Sequence, residues 1–343
     1  MAVASLALRY SDVASPIGLF EVRLMLFEAA TLMLYLRQRR FGSPVLLTLL
    51  QTAAGINVLA AIGAAGAIAS YVAARHSAGW ADEALVGFDR ALGFDWRQAY
   101  WWEIDHPAIT FILRRAYGSI GQTPVAVIFA LAVTRRFDHL ARFLIAFAVT
   151  LALTVAIFRF VPAQSALVHL IGTTPPYRPC TDVTQAATIA ALRTGKLSIV
   201  SLGDMTGIIG FPSFHTAAAL LYIYGAWPVT SIRRPVLIVN LTMLAATPVE
   251  GAHYLTDVLG GIAVTAAALA VVASVPRGRG ACARVAGLFV IRQWRGRPRL
   301  PVAAGRQAAR RTRSIPAIDT GPALTRSTST RSLTLASVIR WTD

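Results

Sequence analysis

Lysine is almost missing from this chain: Lys196 is the only one among 343 residues, and arginine supplies the remaining basic side chains. Charge of either sign is scarce as well, at 14% of residues, with only 16 acidic side chains. A soluble domain carries about a quarter charged residues, so this shortage excludes an ordinary water-facing surface. Cysteine occurs twice, at Cys180 and Cys282. The topology derived below puts the two on opposite sides of a membrane, so no bridge between them is expected and the redox compartment stays open. The N-terminus lacks a basic start followed by a short apolar run and a small-residue cleavage site, so no cleavable signal peptide is expected. No internal repeat is present.

What the chain has instead is apolar sequence, 55% of residues with a mean hydropathy of +0.57. Such a chain buries its apolar surface against lipid and neighbouring helices, and only helices or closed barrels satisfy their backbone there. Spans need about 20 mostly apolar residues. Candidates are Gly18 to Leu36, Val45 to Ala73, Ala108 to Thr134, His139 to Val161, Phe214 to Val229, Pro235 to Ala252 and Tyr254 to Val275. The first is interrupted by Glu21, Arg23 and Glu28 and could instead lie in the interface. The expected fold is therefore all-α, a polytopic membrane helix bundle with six or seven crossings. Residues 1–43 are expected to form an N-terminal segment with one weak transmembrane or interfacial helix, 44–276 a membrane-embedded domain, and 277–343 a basic tail of disordered composition.

Orientation follows from arginines in the short loops. Arg37, Arg39 and Arg40, then Arg135, Arg136 and Arg142, then Arg233 and Arg234, then Arg277 and Arg279 all fall on one side if the spans alternate, and that side is the cytoplasm. The formal charge of +17 is concentrated from Arg277 onward, where fourteen arginines face two aspartates. Because that segment directly follows a span, an anionic leaflet is its expected partner and nucleic acid is not. The outer side receives the loop 162–210 and the segment from Trp80 to His106, whose acids and tryptophans, Asp89 and Trp96 to Trp102 among them, read as an interfacial belt. His76, His106, His139 and His169 read as interfacial structural side chains.

Two stretches break this pattern. Gly210-Phe211-Pro212-Ser213-Phe214-His215 and Gly251-Ala252-His253-Tyr254-Leu255-Thr256-Asp257 each open an apolar run, and the chain crosses twice between them, so both histidines return to the outer face. His253 and Asp257 are four apart, within reach of each other on a helix. A carboxylate accepting from one imidazole nitrogen leaves the other free as nucleophile, and His215 could then act as the acid for a leaving oxygen. Ser213 stands where a helix N-cap would be, beside amides that favour phosphate. Arg193 and Lys196, closing a short helix expected over Thr184 to Leu197, could neutralise the remaining oxygens. In-line phosphoryl transfer through a phosphohistidine fits these parts. A metal held by two histidines and a carboxylate, or a non-catalytic transporter with a polar pathway, stays open on the residues alone.

Pro212-Ser213-Phe214-His215 and His253-Tyr254-Leu255-Thr256-Asp257-Val258 resemble the second and third signature motifs of the type 2 phosphatidic acid phosphatase superfamily. The wording Gly-Phe-Pro-Ser-Phe-His with Ala-His-Tyr-Leu-Thr-Asp-Val-Leu-Gly-Gly is closer to the branch of inositol phosphorylceramide synthases, the inositolphosphotransferases. The resemblance implies His253 as nucleophile, Asp257 as its support, His215 as acid, Ser213 on phosphate, no metal or other cofactor, and a lipid phosphate as substrate. It implies either transfer of a phosphorylated headgroup to or from an inositol-like alcohol, or plain hydrolysis of a lipid phosphate or polyprenyl pyrophosphate. A bacterial inner membrane with the site on the periplasmic face is the expected location. Two positions depart from the superfamily pattern. Thr247 stands where an arginine precedes the nucleophile, and Ile171 stands where a lysine precedes Arg178-Pro179.

Overall fold

The computed structural model describes residues 19–274 apart from 182, 198, 199 and 201. The tail 277–343 and Cys282 lie outside the described residues. Every regular element among the described residues is helical: α1 (Leu19–Phe41), α2 (Pro44–Arg75), α3 (Asp82–Ala91), α4 (Trp96–Asp105), α5 (Pro107–Tyr117), α6 (Gln122–Val133), α7 (Phe137–Phe158), α8 (Ala166–Leu170), α9 (Gln185–Arg193), α10 (Phe214–Ala226), α11 (Thr230–Glu250) and α12 (Leu255–Ser274). Three of these, α2, α7 and α12, are long and apolar enough to cross a membrane, and a fourth span exists if the bent pair α5–α6 counts as one. Large apolar side chains such as Leu26, Val45, Phe111, Ile238 and Phe160 point outward, exposed to 65–79%. Water would oppose that surface and lipid would not. The chain is a helical membrane protein.

The span expected over Ala108 to Thr134 is broken. Its two halves meet at 56°, joined through a 3-10 turn at Gly118–Ile120. Pro124 supplies the reason, because inside a continuous helix its ring would meet the carbonyl of Ile120, and Gly118 and Gly121 flank the joint. The sixth expected span begins earlier than its apolar stretch, since Arg233 and Arg234 lie inside α11. The fifth is short: α10 holds only 13 residues.

A first core joins α6, α7, α10 and α12 through Val127, Ile128, Phe143, Phe147, Leu221 and Val272. A second lies at the end of the bundle where α11 meets α12, with Leu85, Val86, Trp96, Tyr100, Ala166, Leu167 and Tyr254 closing around residues 249–254. The outer segment that read as a belt is thus divided. Trp101 and Trp102 are exposed, whereas Asp82, Asp89, Trp96, Tyr100 and Glu103 are buried under the turn between α11 and α12. Alternation of charge and aromatic residues does not reveal which side chains find partners about 160 residues away.

α12 and α10 cross at contact distance, because a Cβ on Gly261 would lie 2.5 Å from the Ser213 carbonyl and 2.9 Å from Thr216 Cβ. Small residues are what permit such approaches between membrane helices. Replacing Gly261 with Val is expected to lower the detergent melting temperature by several degrees, in line with about 1–3 kcal/mol for overpacking. Gly63→Ala, at a position inside α2 where an added Cβ meets nothing within 4 Å, is expected not to lower the melting temperature and to raise it slightly through helix propensity.

Candidate active site

α10 begins where Ser213 accepts a hydrogen bond from Thr216 N at 3.4 Å, the N-cap expected from the sequence. The Ser213 N–H donates to the Asp257 carbonyl at 2.9 Å, which ties this turn to the first turn of α12. That first turn is capped from two sides. Asp257 Oδ2 reaches back to accept from Tyr254 N at 3.0 Å, and Asp89 accepts from Leu255 N, Thr256 N and Thr256 Oγ1 at 2.9, 2.8 and 2.6 Å. The free amides of a helix start are thereby satisfied by carboxylates.

His253 precedes this helix, and Asp257 Oδ2 meets its Nδ1 at 3.0 Å with both side chains buried. The pair read from the four-residue spacing is present, with His253 in the turn and the carboxylate folding back to it. The turn itself is restrained. Ala252 takes φ +51, a left-handed conformation that costs about 1 kcal/mol or more for a residue with a Cβ. Its carbonyl accepts from Ala166 N at 2.9 Å, and the indole Nε1–H of Trp96 donates to the carbonyls of Pro248 and His253 at 2.9 and 3.1 Å. From α3, Asp82 accepts from Tyr254 Oη at 2.8 Å and from Gln164 N at 3.0 Å.

His215 lines the same cavity of about 240 Å³ as His253. Its ring stacks on Tyr117 with centroids 4.1 Å apart and planes 12° apart, and its Nδ1 lies 3.1 Å from Tyr117 Oη. The two histidines converge because Gly251 has no side chain. A Cβ there would lie 2.7 Å from Tyr117 Oη, 2.8 Å from His253 Cδ2 and 2.6 Å from the Thr247 carbonyl. Thr181, Gln185, Thr206 and Ser70 add polar atoms to the wall, while Gly63, Gly66, Ala67, Phe147 and Leu151 make the side towards α2 and α7 apolar.

Glu250 pins the loop before α9 over this cavity. Its carboxylate accepts from Tyr177 Oη and from Cys180 N, and its carbonyl accepts from Thr181 N. Burial, then the Glu250 carboxylate, holds the Tyr177 hydroxyl well above the usual tyrosine range, so it stays a donor. Glu103 is the other carboxyl here. Burial, with the Glu250 charge added, pushes it up to about 8.

Three side chains assigned to phosphate are not brought to the histidines. Arg193 donates to Ser77 Oγ at 2.9 Å and to the Gly79 carbonyl, and lies 4.2 Å above the Trp80 ring. Lys196 is exposed beyond the end of α9, and Ser213 is fully buried as a cap. None of the three is among the residues around the cavity. Thr247, at the position of the superfamily arginine, donates its hydroxyl to the Met243 carbonyl within α11. Among the described residues no three His, Cys, Asp or Glu side chains are grouped so that they could hold a metal ion. Tyr117 was not legible in advance, since a tyrosine inside an apolar run carries no signal. Of the other histidines, His139 Nε2 lies 3.0 Å from the Tyr224 carbonyl, His106 Nδ1 lies 2.7 Å from that of Trp102, and His169 Nε2 lies 3.3 Å from Glu83.

The family model of the PAP2 superfamily matches residues 83–271, from α3 into α12, and so includes both histidines and Asp257. No curated protein and no solved structure matches the chain.

Gly251→Ala is expected to retain the helical circular-dichroism spectrum while turnover falls roughly tenfold or more, because small displacements of reacting groups are costly. Glu103 carries a pH dependence of stability. Its carboxyl ionises near 4.5 when free and near 8 in the fold, so between those values the unfolded chain has lost a proton that the folded chain keeps. The stabilisation is complete below the lower value and is lost as pH rises through the upper one. Melting temperature is expected to fall between about pH 5 and 8 more steeply in the wild type than in Glu103→Gln.

Proposed function

The chain belongs to the PAP2 superfamily, and we propose that it is an integral membrane enzyme that takes a phosphoryl group from a lipid phosphate through a covalent phosphohistidine on His253. The observation that carries this reading is the His253 Nδ1–Asp257 contact of 3.0 Å on a cavity shared with His215. With Nδ1–H donated to Asp257, the lone pair of His253 Nε2 attacks phosphorus. The bond from phosphorus to the lipid oxygen breaks, and His215 gives that oxygen its proton. In the second half His215 takes a proton from the incoming hydroxyl, whose oxygen displaces His253 from phosphorus. That hydroxyl belongs to water in a phosphatase and to an alcohol in a transferase. The motif wording favours an inositol-like alcohol, with plain hydrolysis as the alternative.

In this reading α10 and α11 cross the membrane together with the four apolar spans, which makes six crossings, and α1 adds a seventh where it spans the bilayer and does not lie in the interface. α10 leaves the site and α11 returns to it, so Arg233 and Arg234 lie at the far end of the bundle from the histidines. The positive-inside bias makes that end cytoplasmic and the site external. The arginine-rich tail then rests on the anionic inner leaflet.

The test is product analysis with purified protein in detergent, EDTA present, phosphate-labelled lipids, inositol present or omitted, and His253→Ala as control. Wild type is expected to release a labelled product and the variant none. Labelled free phosphate identifies hydrolysis, and a labelled lipid that forms only with the alcohol identifies transfer. Activity abolished by the chelator would overturn the metal-free phosphohistidine mechanism. Equal product from wild type and His253→Ala would remove the histidine from the chemistry.

A further inference from the structure

Resting on the reading of His253 as the nucleophile, we propose that Trp96 is its positioning residue, an indole clasp from α4 that holds the closing turn of α11 in the form that presents His253 to the cavity. The turn is closed by backbone bonds. Gly251 N donates to Thr247 O at 3.1 Å, Ala252 N to Val249 O at 3.0 Å and His253 N to Pro248 O at 2.9 Å. With Gly251 as the C-cap, the last two are the paired bonds of a Schellman motif, in which the residue after the cap takes a left-handed backbone. Glycine is the usual occupant, because it takes that backbone at no steric cost. Here the occupant is Ala252, at φ +51, and His253 is the residue that follows it.

The direction in which His253 leaves the helix is thus set by a turn that the residue at its centre opposes. Support comes from a distant part of the chain. The indole Nε1–H of Trp96 is a donor only, and it lies 2.9 Å from the Pro248 carbonyl and 3.1 Å from the His253 carbonyl. One proton therefore ties together the two ends of the motif. Rotation of Ala252 out of the left-handed region would carry the His253 carbonyl away from the indole. The clasp is itself fixed. Trp96 is 3% exposed, opens α4 behind the Asp95 cap, and stacks on Tyr100 at 5.3 Å and 16°. The Tyr100 hydroxyl in turn donates to the Tyr177 carbonyl at 2.8 Å. Trp96 is not among the residues around the cavity, so its effect on the reaction passes through His253.

The test removes the N–H and keeps the ring. Trp96→β-(3-benzothienyl)alanine puts sulphur in place of the nitrogen in a ring of the same shape, and Trp96→Phe is the simpler companion. Measured well below the melting temperature of each protein, both are expected to lower kcat roughly tenfold with KM within about twofold, since a displaced reacting group is costly while substrate contacts are untouched. Adding Ala252→Gly is expected to recover roughly threefold or more of that loss, because glycine takes the left-handed backbone without the clasp. A side chain that only adds stability would change the melting temperature and leave kcat where it was. Unchanged kcat in the benzothienyl variant, a loss carried by KM, or no recovery on adding Ala252→Gly would overturn the proposal. Hydrogen exchange of residues 249–253 reads the clasp without turnover. These amides are expected to exchange roughly tenfold faster in the benzothienyl variant than in the wild type, with those of α7 unchanged. If the wild type turns over no lipid phosphate, the phosphotransfer reading fails, and equal exchange in the two proteins is the result that would remove the clasp.

Discussion

The half of the molecule that carries the two histidines depends on how carboxylates are accommodated away from water. Asp82 and Asp89 stand seven residues apart, two turns along one face of α3, and are 1% and 3% exposed. Their partners are backbone amides and hydroxyls of residues 164, 165, 254, 255 and 256. Charge-assisted bonds of this kind are about twice as strong as neutral ones, and a buried carboxylate that loses them is left with its full desolvation cost. α3 therefore holds the His253 turn from one side while Trp96 holds it from another. Neither contact touches the cavity, and both decide where His253 stands.

This explains how the sequence could reveal the centre of the site and not its surroundings. The four-residue interval from His253 to Asp257 is a local relation, and the return of both motifs to one end of the bundle follows from counting apolar runs. Both survive in the fold. The contact between the pair nevertheless arises from a carboxylate folding back into a turn, because His253 lies ahead of α12. Asp89 and Trp96 were unreadable for the opposite reason. Their partners lie some 160 residues downstream, and a charged, tryptophan-rich stretch looks the same whether it meets lipid headgroups or protein carbonyls. Tyr117 was hidden by its apolar neighbours, and the contacts of the Arg193 guanidinium with Ser77, Gly79 and the Trp80 ring bridge more than 110 residues, which no local pattern reveals.

Span boundaries divide in the same way. α2, α7 and α12 were legible because composition alone decides them. The break between α5 and α6 turns on one proline and two glycines inside a run whose average hydropathy hides them. It places Tyr117 at the last turn of α5, where a continuous helix would have carried the chain straight past His215.

The shortness of α10 bears on the bilayer itself. Thirteen residues rise only about 20 Å, against a hydrocarbon layer of about 30 Å. If its far end, where Arg233 lies over the ring of Trp227, sits at headgroup level, then His215 at the other end lies about 10 Å below the opposite headgroups. Either the surrounding lipids thin to meet it or a phosphate group descends into the protein to reach it. On the reading proposed above, in which α10 crosses the membrane, bilayer thickness becomes a physical variable for access to His215, since the mismatch carries a free-energy cost for each ångström.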